Sequence, residues 1–168
     1  MKEIFKTLSD KIKTDVPKVR WFDFDLGQLE QEQPPVSWPC VLFSIQSGSF
    51  EQIASGGQQA DLMIGIRLAF KVFERTHSVA TSFQNVGLQH IDTVEEVHRA
   101  FQGLSGTGFE ALSRVGFATE PRADLRVYNL VYSCRYIDIP VNPFQPWDSV
   151  TSEPKPDLCL NSIIIKKI

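Results

Sequence analysis

The sequence predicts an α+β fold: a mainly antiparallel sheet built from two long hairpins, with an N-terminal helix and a long central helix on one face. Three observations point there. Residues 60–73, ADLMIGIRLAFKVF, are apolar at every even position, with Ala60, Leu62, Ile64, Ile66, Leu68, Phe70 and Val72 on one side and a mixed set on the other, the period of a strand with one buried face. Residues 76–104 repeat apolar positions at intervals of three and four, the period of a helix. Residues 109–138 hold two more apolar runs around EPRAD, which reads as a second hairpin.

Along the chain, Ile4, Phe5, Leu8 and Ile12 share one face of a helix over 2–15, and Pro17 ends it. VRWFDF (Val19–Phe24) is a short aromatic strand. GQLEQEQPP (Gly27–Pro35) is a proline-bounded loop. Two arms, Trp38–Ile53 and Gln58–Phe73, form an extended hairpin turning at Gly56-Gly57. An ordinary strand has about five or six residues; 60–73 as one strand reaches roughly 40 Å. Gly65 marks a bulge or a close backbone approach. Thr76–Leu104 is one long helix or two abutting ones with Asp92 as an N-cap, and Gly103, Gly106 and Gly108 follow it as a loop. In the last strand Tyr128, Leu130, Tyr132, Cys134 and Tyr136 share one face and Leu125, Val127, Val131 and Ile137 the other. Apolar character on both faces suits a central strand or one covered by another subunit. From 139 the composition changes: 139–168 is a proline-rich extended arm ending in the β-prone NSIIIKKI. We expect one domain over 1–138 and the arm beyond it.

The 168 residues carry a net charge of −3, which argues against a dedicated binder of nucleic acid or anionic membrane. The odd cysteine count, Cys40, Cys134 and Cys159, fits free thiols in a reducing compartment. The charged N-terminus lacks the apolar core of a signal peptide, and no apolar run approaches the ~20 residues of a membrane span. A chain made and kept in the cytoplasm is the expectation.

No residue set converges on chemistry. His90 and His98 stand eight apart, about 12 Å along a helix, too far to hold one metal. Glu95 with His98 is half of a carboxylate-bridged site without its second half. GLSGTG (Gly103–Gly108) lacks both the Gly-Lys-Ser/Thr of a phosphate loop and the full nucleophile-elbow pattern. Asp23 and Asp25 share a strand face with no third ligand nearby in sequence and read as a solvated edge. Cys40 lies in an apolar strand and reads as a small core residue. Trp21, Trp38 and Trp147 read as packing residues. No catalytic residue, cofactor or metal is expected.

The order of these elements resembles the tail-completion, or tail-terminator, family of tailed bacteriophages and prophages. The resemblance runs over residues 1–138 and is carried by PPVSWPCVLFSI, DLMIGIRLAFKV, EEVHRAFQGLSG and DLRVYNLVYSCRY. It implies a non-enzymatic virion protein whose copies form a ring, usually hexameric, that ends the tail tube and joins it to the head. Partners would be other copies, the tail-tube protein and a head-completion or connector protein, with DNA only passing through and no membrane. The location would be the bacterial cytoplasm during assembly and then the neck of the virion tail. A head-closure or adaptor ring, and in another class a cytosolic α+β domain binding a small ligand, stay open on the residues alone. Patterning puts the subunit interface on the second face of the long strand, at Met63, Arg67, Ala69, Lys71 and Phe73, and in the arm at Trp147, Ile163, Ile164 and Ile165.

Overall fold

The structure, a computed structural model, describes residues 1–53, 56–71 and 81–139, without the side chains of 81–87. Helix α1 (Lys2–Asp15) leads to strand β1 (Trp21–Phe24) and a single 3₁₀ turn (Gln28–Glu30). Strands β2 (Cys40–Gln52) and β3 (Gln58–Phe70), helix α2 (Thr81–Phe101), and strands β4 (Ser113–Glu120) and β5 (Arg126–Asp138) follow. The five strands form one sheet in the order β1-β2-β3-β5-β4. Among the described residues only the β1–β2 pair is parallel.

The alternation of β3 becomes the core. Ala60, Leu62, Ile64, Ile66, Leu68 and Phe70 are all buried, against Ile4, Leu8 and Ile12 of α1 and Val94, Val97 and Phe101 of α2 in one cluster. Each large apolar side chain so buried contributes about 1.5–3 kcal/mol. The face expected on β5 is also there: Leu130, Tyr132 and Cys134 stand opposite Ile66, Ile64 and Leu62 of β3 and join the same cluster. β5 lies between β3 and β4, the central position its sequence suggested.

Two features differ from expectation, the end of β3 and the start of β4, and two alternatives are decided, at Gly65 and in α2. β3 ends at Phe70, so Lys71 follows the strand, and Val72 and Phe73 fall outside the described residues. The bulge lies across from Gly65 rather than at it: the β2–β3 register shifts between Ile45 and Ser47. Gly65 is a close approach, since a Cβ there would meet the Gln46 Nε2 at 2.5 Å and the Ser44 Oγ at 2.7 Å. α2 runs unbroken through Gly87 and Asp92, so Asp92 caps nothing; the buried run His90, Thr93, Val94, Val97 and Phe101 holds it to the sheet. β4 begins at Ser113, because Phe109 and Glu110 instead bridge to the end of β5, where Glu110 N–H donates to the Arg135 carbonyl at 2.8 Å.

The segment from Gly27 to Trp38 is a loop, as its prolines require. It folds back over the second face of the sheet, where Leu29, with Val36 and Trp38, closes over Cys40, Leu42, Ala69, Leu125 and Val127. The sheet is therefore covered on one face by helices and on part of the other by this loop.

Candidate assembly surfaces

Arg67 stands at the edge of that second cluster. Its Nε and Nη2 both donate to Glu120 at 2.8 Å, its Nη2 also to Glu30 at 2.8 Å, and its Nη1 to Asp25 at 3.2 Å. Asn129 donates to the same Glu120 at 3.1 Å, and Arg122 reaches Glu30 at 3.1 Å. Burial works against the Arg67 charge, but the hydrogen bonds it donates to Glu120 and Glu30 outweigh it and raise its pKa further. Burial would raise the Glu120 pKa; Arg67 and Asn129 overcome it and hold the carboxyl below its ordinary range. The cluster ties the β1–β2 loop and the β4–β5 turn to the middle of the sheet. Its charges face one another, so its chemistry is structural.

The residues singled out in sequence scatter. Asp25 lies past the end of β1 and is largely buried against Arg67, so it is not a solvated edge group; Asp23 accepts a hydrogen bond from Phe24 N–H at 2.8 Å. Cys40 is fully buried, and burial pushes its thiol up to about 12; Cys134 rises to about 11 for the same reason. His98 Nδ1 lies 3.1 Å from the Tyr132 hydroxyl. Burial, then Arg114, lowers the His98 pKa, while burial raises that of Tyr132, so the contact joins two groups held in their neutral forms. His90 packs against the rings of Phe70 and Tyr128. Among the described residues no group of three or more His, Cys, Asp or Glu could hold a metal ion. No described helix is long and apolar enough to cross a membrane.

Of the second-face residues, Ala69 has no exposed surface, being covered by its own chain, and Arg67 is engaged by its own carboxylates. Met63 is half-buried and Lys71 exposed. Phe73, Trp147, Ile163, Ile164 and Ile165 lie outside the described residues.

The sheet's two margins are unlike each other. β1 pairs with Cys40–Phe43 alone, which leaves Ser44–Gln52 without a neighbour on that side among the described residues. Ile45 and Phe50 project from this stretch, 37% and 49% exposed, beside Phe24 at 44%. At the other margin β4 is shorter and bulged at Val115, and its Arg114 amide already donates to Gln102 at 3.0 Å. Between β4 and α2 runs a groove of about 510 Å³ lined by Ile91, Val94, Glu95, His98, Arg114 and Phe117.

No family model matches the chain, and no curated protein does. Among solved structures it is similar to a chain of "Virion of native gene transfer agent (GTA) particle", with a TM-score of 0.54 and 13% identity. The match covers 81% of this chain and 96% of that one. The likeness is one of fold. It spans nearly all of a chain that is itself part of a virion particle.

Proposed function

We propose that this protein is a non-enzymatic structural component of a phage-like virion, a ring-forming tail terminator that ends the tail tube and joins it to the head. The observation that carries this reading is the fold likeness, over 81% of this chain, to a chain of a gene transfer agent virion. The surfaces support it. The densest ionic cluster among the described residues, around Arg67, is satisfied from within, whereas the free part of β2 presents backbone and apolar side chains to the outside. An exposed strand edge is a pairing surface. Ring closure needs a heterologous contact whose rotation closes.

The free margin of β2 and the adjoining second face form one side of that contact. Met63, opposite Ser47 in the register, borders both. The purified full-length chain forms the ring by itself. One ring face then meets the last ring of the tube and stops its growth, and the other meets the head connector. DNA passes through the centre as cargo.

The test is electron microscopy of the full-length chain mixed with the tail-tube protein encoded in the same genome. Caps at the ends of tubes are expected. Tubes with bare ends beside free chain would refute the terminator role.

A further inference from the structure

The free margin of β2 is built without the usual protections of an edge strand. Native edges carry lysines, prolines, bulges or a covering segment. Ser44–Gln52 reads SIQSGSFEQ, with no proline, no lysine and one charge, Glu51. Its single bulge lies at one end, between Ile45 and Ser47, leaving the rest in regular register with β3. The opposite margin, β4, has Arg114, Glu120 and a bulge between Arg114 and Gly116. One margin is guarded by its own sequence; the other calls for a cover.

We infer that residues 161–168, NSIIIKKI, of a neighbouring copy add as a strand to the free margin of β2. This rests on the ring reading above and names the segment that joins its subunits. Strand addition supplies main-chain hydrogen bonds for affinity, while alternate side chains supply specificity. The segment is of the right kind, with three consecutive β-branched residues, Ile163, Ile164 and Ile165. Its eight residues match the nine of the free margin. Alternate isoleucines would cover Ile45 and Phe50, and Lys166 and Lys167 would meet a margin whose one charge is Glu51.

The length of chain before the segment points to a neighbour. β5 ends at Asp138, opposite Gln58, and Gln58 stands opposite Gln52 of β2. The exit thus lies two strand spacings, roughly 10 Å, from the tip of the margin. Returning to its own β2 would take only a handful of residues. Residues 140–160 contain 21 positions and five prolines. Such a connection, at about 3.1 Å per residue, spans up to roughly 65 Å, a distance that suits an adjacent subunit.

The test compares full-length protein with the full-length Ile164→Pro/Ile165→Pro double variant and with Ile164→Val/Ile165→Val. Backbone N–H groups alternate sides along a strand, so one of the two adjacent prolines must remove a ladder donor whichever register the segment takes, whereas the valines keep both. Particle mass and amide exchange over 44–52 are read on the same samples. We expect multimers with slow exchange at 44–52 for the parent and the double-valine variant. The double-proline variant should fall to the 19.0 kDa monomer, with exchange at 44–52 faster by at least about tenfold. A multimer in which the two prolines change neither mass nor exchange overturns the strand exchange and leaves the ring standing. A parent that is itself monomeric overturns the ring reading. A monomer with 44–52 protected only when Ile164 and Ile165 are intact means the segment returns to its own chain, which also overturns exchange.

Discussion

Arg67 and Glu120 face each other across the second side of the sheet through two parallel hydrogen bonds, both 2.8 Å, from Nε and Nη2 to the two carboxylate oxygens. The pair is 53 residues apart in sequence, and only the β3–β5–β4 order brings it together. The fork of the guanidinium also serves Asp25 and Glu30. Replacing Arg67 by Met leaves these carboxylates facing one another in a largely buried place. We expect a loss of about 2–4 kcal/mol in denaturant unfolding, near the range for breaking a buried pair. Arg67→Lys should recover only part of it, because an ammonium cannot make the planar two-bond contact.

Acid should loosen the same place. Folding lowers the Glu120 pKa from its ordinary 4.5, so the unfolded chain takes up that proton first. The stabilisation is complete above 4.5 and is lost as pH falls through the lower folded value. The denaturation midpoint should drop below pH 4.5, and Glu120→Gln should show a smaller drop over that window. An equal drop in the variant would remove Glu120 as the cause.

Two glycines should differ in how much replacement by alanine costs. Gly108 has φ of +78°, and a Cβ would lie 3.1 Å from the Ile137 carbonyl oxygen. Gly108→Ala should cost about 1–2 kcal/mol, read as a lower midpoint. At Gly65 the atoms in the way are the ends of the Gln46 and Ser44 side chains, which can turn aside. Gly65→Ala should cost less than about 1 kcal/mol.

Cys40 and Cys134 should be inert in the folded chain at neutral pH, since burial raises both thiols well above the ordinary range and the thiolate is the reactive form. A thiol reagent should label them only after denaturant is added. Fast labelling of either in native buffer would contradict their placement.

Much of the fold was legible because strand and helix periods are local. The six even residues from Ala60 to Phe70 announced one core face, and the buried stripe of α2 announced the helix that covers it. Asp25, Glu30, Arg67 and Glu120 gave no such signal, because their meeting depends on strand order and on a loop returning over the sheet. Leu29 illustrates the same limit: in a polar, proline-bounded stretch it reads as a loop residue, yet it has no exposed surface. The second face of β3 read as one interface of five residues, and two of them, Ala69 and Arg67, are closed off by the chain itself. The free margin of β2 was equally hidden, since nothing in Ser44–Gln52 tells that β1 stops beside Phe43.

Self-assembly is the claim on which the proposed function depends. Light scattering coupled to size exclusion on the purified full-length chain measures it most directly. The expected result is one discrete species whose mass is a fixed multiple, six for a hexamer, of the 19.0 kDa subunit, unchanged over a tenfold dilution. A single 19.0 kDa species at every concentration would contradict it.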